Sequence, residues 1–336
     1  MRSSPLQRAA FRAHRESARH GAPGYLACTM RIRFHLSFAA ALIALPAHAQ
    51  TRSPNEYGQI PVLEYHKITD RDSRWGRSHD GLRRDLELLY ARGYRPITVS
   101  QLVDRKIDIA AGMSPVVITF DDASPGQFRY VERGGALQID PQSAVGIWLA
   151  FSRAHPDWGT RATFCLLPSG TEGHAFFGDK GIDGQKTEWR FPKLRFLVAR
   201  GFELCNHTLW HARLDKYSDT MVQEQIVRGA MAIDSAVPGY RVRTLAVPQG
   251  RWPTNRALIR EGRWTEPRSG RVVTYRFDAV LKVAGPPSAS PHDSSFRADA
   301  IPRIQVIGDN LAVWLDRIEA SRFVSDGKPR TVTGLR

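Results

Sequence analysis

Two short segments of this 336-residue chain bring together residue types that bind metals and transfer protons. Asp121 and Asp122 end an apolar run, and His207 and His211 stand four residues apart after another apolar segment. One carboxylate and two neutral imidazoles form a three-ligand set for a divalent metal, with an open position for water. The second carboxylate is then available as a general base. Together the two segments predict a metal-assisted hydrolytic site.

Each segment also has an ordinary structural explanation when it is taken alone. An aspartate at the end of a strand often caps the helix or turn that follows. Two histidines four residues apart share one face if the segment turns helical, and a lone pair of this kind is often structural. Thr208 stands where a metalloprotease with a His-Glu-x-x-His motif has its glutamate, which excludes that class.

The rest of the chain alternates short apolar runs with longer amphipathic ones, a pattern typical of βα units around a mainly parallel sheet. The predicted strands cover 62–65, 116–120, 162–167, 202–205, 244–247, 272–283 and 304–307. The predicted helices cover 82–91, 143–154, 193–200, 220–236, 255–261 and 311–320. Both chemical segments follow a predicted strand, where ligands bind in α/β folds.

Two motifs link the chain to a known family. It resembles the NodB-like polysaccharide deacetylases, the fourth carbohydrate esterase family, and in particular an extracellular branch of it. Residues 119–122, Thr-Phe-Asp-Asp, are similar to the first family motif, and residues 207–211, His-Thr-Leu-Trp-His, to the second. Further similar stretches lie at 60–66, 161–164, 201–204 and 245–250.

The resemblance implies an α/β fold of the distorted (β/α) barrel type and a hydrolase that removes N-acetyl or O-acetyl groups from a carbohydrate polymer. It also implies that Asp122, His207 and His211 hold a divalent metal, most often Zn²⁺, and that Asp121 is the general base. Such a metal lowers the pKa of its water and polarises the acetyl carbonyl. Thr208 is expected to orient the loop through its hydroxyl.

The third family motif is incomplete in this chain. The arginine expected two residues before Pro248 is replaced by Ala246, and either Arg251 or Arg303 is the alternative partner for the base. By position, Pro248 and Gln249 border the substrate, and the backbone N–H of Gln249 is the predicted oxyanion donor.

The general acid that the fifth family motif supplies has no clear counterpart. His292, in the Pro-rich loop 285–293, is the predicted acid, and its alternative is a solvated loop residue. His66 ends the first predicted strand and is either part of the site wall or an ordinary core histidine. Trp210 and Trp252 are the aromatic residues that we expect at the cleft.

The N-terminal region predicts export. Residues 30–49 combine a basic start, a short apolar run and a small-x-small cleavage site, as a signal peptide does. The apolar run is too short for a stable membrane span. Residues 1–29 are interpreted as an extension from an upstream start, and 50–336 as a single catalytic domain. The mature protein is therefore expected in the periplasm or secreted, beside the cell envelope.

The charge of the chain does not indicate a nucleic-acid partner. The formal net charge is +15, but seven of the arginines lie in residues 1–49. No basic run with interleaved aromatic residues occurs in the sequence. The expected partner is an acetylated carbohydrate polymer, such as peptidoglycan, poly-N-acetylglucosamine, chitin fragments or another acetylated glycan.

Two questions stay open at the level of sequence. Cys165 and Cys205 lie on predicted strands that would be neighbours, and they form either a disulfide or two buried thiols. The chain is either a secreted metal-dependent deacetylase or a catalytically weak or inactive carbohydrate-binding protein on the same fold. The second hypothesis rests on the missing arginine and the missing acid.

Overall fold

The computed structural model describes residues 52–170, 175–329 and 332–334 of the chain. These residues belong to one compact unit. The predicted signal peptide, 30–49, and the predicted extension, 1–29, lie outside the described residues. None of the helices in the described ranges is long and apolar enough to cross a membrane.

Fourteen strands and six α-helices are described, together with several short 3₁₀ turns. The strands are β1 Val62–Tyr65, β2 Lys67–Thr69, β3 Gly76–Ser78, β4 Tyr94–Ile97, β5 Ser114–Phe120, β6 Tyr130–Arg133, β7 Ala136–Ile139, β8 Thr163–Leu166, β9 Glu203–Asn206, β10 Thr244–Ala246, β11 Glu261–Thr265, β12 Val272–Arg276, β13 Ala279–Leu281 and β14 Ile304–Gln305. The helices are α1 His79–Ala91, α2 Val99–Val103, α3 Ala144–Ala154, α4 Arg190–Ala199, α5 Asp219–Ala236 and α6 Asn310–Ile318.

The main sheet has eight strands, and its pairings are parallel. Its order is β13-β10-β9-β8-β5-β1-β14, and β4 pairs with the first half of β5. The segment 301–305 connects the two edges, since Ile301 bridges to Leu281 of β13 and Ile304 pairs with Leu63 of β1. The sheet therefore curls into a distorted barrel surrounded by helices, which confirms the predicted fold class.

The two faces of this sheet pack in different clusters because successive residues of a strand point to opposite sides. Ile118 and Phe120 of β5 pack on the outer face with residues of α1, α3 and α4. Val117 belongs to a second cluster, inside the curl of the sheet. By the same alternation, Thr119 and Asp121 face the interior of the barrel.

Helix α1 packs against the core with the face that its leucine spacing predicts. Leu82, Leu86 and Leu89 follow a spacing of four and three, and all three are fully buried. Ser78 begins the helix as its N-cap, and its hydroxyl accepts a hydrogen bond from the Gly81 N–H at 3.0 Å. The predicted core face of this helix is confirmed.

The structure answers whether Cys165 and Cys205 form a disulfide or remain two thiols. Cys165 of β8 and Cys205 of β9 are directly in register, and their Cα atoms lie 4.2 Å apart. They form a disulfide, fully buried inside the barrel. The bond joins β9, whose carboxyl end leads to His207, to β8, the strand between β9 and β5.

Two predicted elements differ from the structure, and several short elements of the structure were not predicted. The predicted strand 272–283 is two strands, because β12 pairs with β11 in an antiparallel hairpin while β13 joins the main sheet. The predicted helix 255–261 is a 3₁₀ turn, Arg256–Ile259, followed by β11. Strand β4 was not predicted: it contains Pro96 and pairs with only one neighbour, an arrangement that tolerates a missing backbone N–H.

Candidate metal centre

The carboxyl ends of four parallel strands of the main sheet supply the site: β10 and β9 on one side of β8, and β5 and β1 on the other. Asp121 and Asp122 follow β5, His207 follows β9, His66 follows β1, and the turn Pro248–Gly250 follows β10. Because parallel strands present their carboxyl ends at one edge, these segments converge although they are far apart in sequence. The convergence expected from the strand pattern is what the structure shows.

Asp122, His207 and His211 lie together as a potential ligand set. Oδ1 of Asp122 is 3.3 Å from Nε2 of His207 and 3.5 Å from Nε2 of His211. This oxygen is buried and has no other hydrogen-bond partner among the described residues. The three ligand atoms lie within 4.8 Å of one another. One carboxylate and two imidazoles at this separation fit a divalent metal, and Zn²⁺ in particular accepts such a set.

The tautomer of His207 favours metal binding. Its Nδ1 lies 2.9 Å from the carbonyl oxygen of Ala246, an acceptor, so that Nδ1 carries the proton. The lone pair then sits on Nε2, the atom that points at Asp122. A ligating histidine is commonly oriented by such a bond to a backbone carbonyl.

The pKa values of Asp122 and His211 fit a cation site, whereas burial of His207 is outweighed by the charge of Asp121 and the hydrogen bond with Asp122, which raise the pKa of His207 in the absence of a metal. Burial alone would raise the pKa of Asp122, but the hydrogen bond and charge of His207 outweigh it and hold this pKa well below its usual range. Burial, reinforced by the charge of His207, lowers the pKa of His211 to about 4. Asp122 is therefore a carboxylate and His211 a neutral imidazole at neutral pH, the forms that bind metal.

Asp121 is held by Arg303, one of the two arginines considered as a replacement. Arg303 donates two parallel hydrogen bonds to the Asp121 carboxylate, at 2.7 and 2.8 Å, and both side chains are buried. Arg251 instead lines the mouth of the cleft and is exposed. Burial acts to raise the pKa of Asp121, but the charges of Arg303 and His207 hold it below its ordinary value.

Arg303 reaches Asp121 because of where it lies in the fold. It belongs to the segment 301–305 that joins the two edges of the barrel, so its side chain enters the barrel interior. Its Nε donates to the carbonyl oxygen of Lys282 at 2.6 Å, and one terminal nitrogen lies 3.1 Å from the hydroxyl of Thr119. These contacts fix the guanidinium in the plane of the Asp121 carboxylate.

Sequence reasoning missed Glu64, which lies on the other side of Arg303. Its carboxylate is 2.6 Å from a terminal nitrogen of the guanidinium, and it is fully buried. Burial, with a contribution from Asp121, raises the pKa of Glu64 to about 7 although Arg303 opposes the shift. The signal in the sequence is a charged residue within the otherwise apolar strand β1.

A turn, and not a helix, positions His211 next to His207. The two histidines therefore lie together for a different reason from the helical spacing considered in the sequence analysis. Thr208 and His211 both have positive φ, 69° and 64°, which is incompatible with a helix. Oδ1 of Asn206 accepts a hydrogen bond from the Thr208 N–H at 2.7 Å, and the Thr208 hydroxyl accepts one from the Ala212 N–H at 3.4 Å. The Thr208 hydroxyl thus closes the loop, in the place expected for it.

A cleft of about 480 Å³ opens over these residues. Its lining comprises His66, Lys67, Trp75, Asp121, Asp122, His207, His211, Gln249, Arg251 and Val283. Gln249 has a positive φ of 54°, and its side-chain amide lies 3.5 Å from Nδ1 of His211. Pro248, just before it, is buried. Trp75 is 45% exposed and packs edge-on against the His66 ring, so His66 belongs to the wall of the cleft.

The two tryptophans expected at the cleft do not line it, which corrects that prediction. Trp210 is 39% exposed and is not among the residues that line the cleft, and its backbone N–H donates to Gln225. Trp252 lines a neighbouring groove, where the guanidinium of Arg256 lies over its ring. Trp75, in the loop between β2 and β3, takes the position at the cleft instead.

His292 is not brought to the site, which corrects its assignment as general acid. Its ring lies 6.4 Å from that of Phe323, and its backbone N–H donates to Ser290. Ser290 in turn bonds to the backbone of Glu56, and the same loop pairs with Ile60, just before β1. The Pro-rich loop therefore runs along the amino edge of the sheet, opposite the cleft.

Sequence comparison agrees with this geometry. The family model for polysaccharide deacetylase matches residues 156–261, which include His207, His211 and the turn Pro248–Gly250. Over these residues the chain matches the polysaccharide deacetylase family. The predicted family resemblance is confirmed over this segment, and with it the enzyme class, a hydrolase that acts on carbon–nitrogen bonds other than peptide bonds.

Solved structures share the fold of this chain. The Streptococcus pyogenes deacetylase PplD, in complex with acetate, is 14% identical, with 79% of this chain and 99% of that chain covered and a TM-score of 0.51. BA0330 from Bacillus anthracis is 15% identical, with 79% and 69% covered and a TM-score of 0.52. BC0361, a polysaccharide deacetylase from Bacillus cereus, is 14% identical, with 77% and 68% covered and a TM-score of 0.52.

Proposed function

We propose that this protein is an exported, metal-dependent deacetylase that hydrolyses N-acetyl or O-acetyl groups of a carbohydrate polymer. The observation that carries the proposal is the convergence of Asp122, His207 and His211 beside the Asp121–Arg303 ion pair, at the floor of one cleft. A divalent metal held by the three ligands, most plausibly Zn²⁺, would supply an activated water and polarise the acetyl carbonyl.

The role of Asp121 follows from its surroundings. Its Oδ2 faces the ligand set, 3.9 Å from Nε2 of His207, so it is placed to take a proton from the attacking water. Arg303 keeps the carboxylate ionised and fixes its orientation. The backbone N–H of Gln249 is the proposed donor to the oxyanion that forms on the acetyl carbonyl.

His66 is the proposed general acid, because it is the remaining imidazole in the cleft wall. Its ring lies beside Asp121 and Glu64, and one atom of each of the three side chains lies within 4.8 Å of the others. A leaving amine needs a proton more than a leaving alkoxide does. His66 therefore matters most for an N-acetyl substrate.

His66→Asn is expected to slow release of acetate from an N-acetyl substrate by about 10²-fold, and from an O-acetyl ester by much less. The reason is that the amine leaves only when it is protonated. The measurement is kcat on a chitin oligomer and on acetylated xylan for wild type and variant. An equal loss on both polymers would remove His66 from the acid role.

The arginine that the third motif lacks was one of the two reasons for the hypothesis of an inactive carbohydrate-binding protein. Arg303 supplies a cation to the base from another part of the chain, which favours the enzyme. Export remains part of the proposal through the signal peptide proposed for residues 30–49, and it places the enzyme in the periplasm or outside the cell. Peptidoglycan, poly-N-acetylglucosamine, chitin fragments and acetylated glycans are the proposed substrates.

The experiment that tests the function is acetate release by metal-loaded and metal-stripped protein. We expect zinc-loaded protein to release acetate from chitin oligomers or acetylated xylan, chelated protein to release none, and activity to return when Zn²⁺ is added back. Circular dichroism of the stripped protein controls for unfolding. Full activity after complete removal of the metal would contradict the proposal.

A further inference from the structure

A second groove lies beside the cleft, and four of its five charged lining residues are cationic. It has a volume of about 420 Å³ and is lined in part by Trp252, Arg256, Arg260, Lys282, Arg297 and Asp299. We call it the basic groove. The two cavities share a wall, since Arg251 and Val283 line the cleft and their chain neighbours Trp252 and Lys282 line the groove. The basic groove is therefore adjacent to the cleft.

The charges of the basic groove are not balanced by protein carboxylates. Asp299 forms two hydrogen bonds with Arg297, at 3.1 and 2.9 Å, which neutralises one of the four cations. Within the described ranges, no carboxylate lies at ion-pair distance from the other three, Arg256, Arg260 and Lys282. The guanidinium of Arg256 instead lies 5.1 Å from the centre of the Trp252 ring. Three cationic groups are thus available to a ligand.

A hydrogen bond connects the basic groove to the Asp121–Arg303 pair in the cleft. The carbonyl oxygen of Lys282 accepts the hydrogen bond from Nε of Arg303, the residue that orients Asp121. A sugar unit in the groove would therefore lie next to the unit whose acetyl group is in the cleft. The half-buried indole of Trp252 offers a flat apolar surface with a polar edge, a suitable platform for a sugar ring.

We propose that the basic groove is a subsite for a carboxylate-bearing sugar, and that the substrate class is an acetylated polysaccharide that is also anionic. This inference rests on the proposed function. Guanidinium groups recognise carboxylates through paired hydrogen bonds, and Arg256 and Arg260 are exposed and free of protein carboxylates within the described ranges. Because these groups face solvent, their attraction for the polymer is screened by salt.

The test compares two N-acetylated hexasaccharides, one from hyaluronan, which carries carboxylates on alternate sugars, and one from chitin, which is uncharged. Binding is measured by calorimetry with metal-loaded Asp121→Asn, so that the oligomers stay intact. We expect the hyaluronan oligomer to bind more tightly at low salt, and the difference to shrink as sodium chloride is added.

Replacing both Arg256 and Arg260 by Gln is expected to weaken binding of the hyaluronan oligomer about 2- to 30-fold and to leave the chitin oligomer unchanged. The matched control replaces Arg268 and Arg271 by Gln, an equal loss of charge from exposed positions outside the basic groove. A hyaluronan oligomer that binds no more tightly than the chitin oligomer overturns the proposal. So does an equal effect of the two double variants.

Failure of the subsite proposal can be distinguished from failure of the proposed function, because binding of an oligomer to Asp121→Asn does not depend on turnover. Acetate release from chitin without any preference for charge would leave the function standing and overturn the subsite. Charge-dependent binding without acetate release from any polymer would do the reverse.

Discussion

Arg303→Gln is expected to lower acetate release by at least about 10²-fold and to lower the free energy of unfolding by about 3–5 kcal/mol. The side chain is completely buried and lies between the carboxylates of Asp121 and Glu64. Without it, two buried acids face each other with no cation from the protein between them. Like charges raise each other's pKa, so Asp121 is protonated more often and is less available as a base.

The charge of Arg303 also determines how the activity of Arg303→Gln should depend on pH. In the wild type the charges of Arg303 and His207 hold the pKa of Asp121 below its ordinary value, so the base is ionised at neutral pH. In Arg303→Gln the pKa of Asp121 rises, so activity is expected to be lost at neutral pH and to recover partly as the pH rises. Urea unfolding and a pH–rate profile measure the two effects.

Arg251→Gln is the matched control, since both arginines were candidates for the same task. Arg251 is exposed at the mouth of the cleft. Its replacement is expected to change the free energy of unfolding by less than about 0.5 kcal/mol. If Arg303→Gln kept wild-type activity and stability while Arg251→Gln lost activity, the assignment of the base's partner would be reversed.

Asp121→Asn is expected to lower kcat by about 10²–10⁴-fold while the protein still binds one metal. The amide keeps the shape of the side chain but cannot accept the proton of the attacking water. Metal content is expected to stay because Asp122, His207 and His211 are untouched. Acetate release and metal analysis on the same preparation separate the two properties.

The contrast with Asp122→Asn makes this prediction specific. Asp122 is adjacent in sequence but lies with the two histidines, so its replacement should weaken metal binding together with activity. If Asp121→Asn instead lost the metal and Asp122→Asn kept it, the roles of the two acids would be exchanged.

The grouping of the candidate metal ligands could be predicted from the sequence because it depends on the strand order of a parallel sheet. Asp122 and His207 each follow a buried strand, and β5, β8 and β9 are neighbours in the sheet, so their ends meet. The conformation of the turn could not be predicted in the same way. Positive φ at Thr208 and His211 depends on side-chain hydrogen bonds from Asn206 and on close packing.

That close packing comes from a distant helix. A Cβ at Gly229 of α5 would lie 2.7 Å from Oδ1 of Asn206 and 3.1 Å from the carbonyl carbon of Thr208. Glycine is therefore required for α5 to approach the turn that presents His211. No local pattern around residue 207 reveals this contact, because it is made by a residue more than twenty positions away.

The other residues of the cleft could not be placed from the sequence for one common reason. Loops and the closure of the barrel bring together side chains that are far apart in the sequence. Arg303 meets Asp121 only because the segment 301–305 joins the two edges of the barrel. Trp75 reaches the cleft because it lies in the loop between β2 and β3 that packs on His66. His292 was assigned from being the last histidine in the sequence, and its loop runs along the opposite edge.

The most direct test of the central claim is the metal content of the purified protein and of a variant in which both His207 and His211 are replaced by Gln. The account predicts about one zinc per wild-type chain, almost none in the double variant, and acetate release only where the metal is present. A double variant that binds zinc as tightly as the wild type, or a wild type that releases acetate without binding any metal, would contradict it.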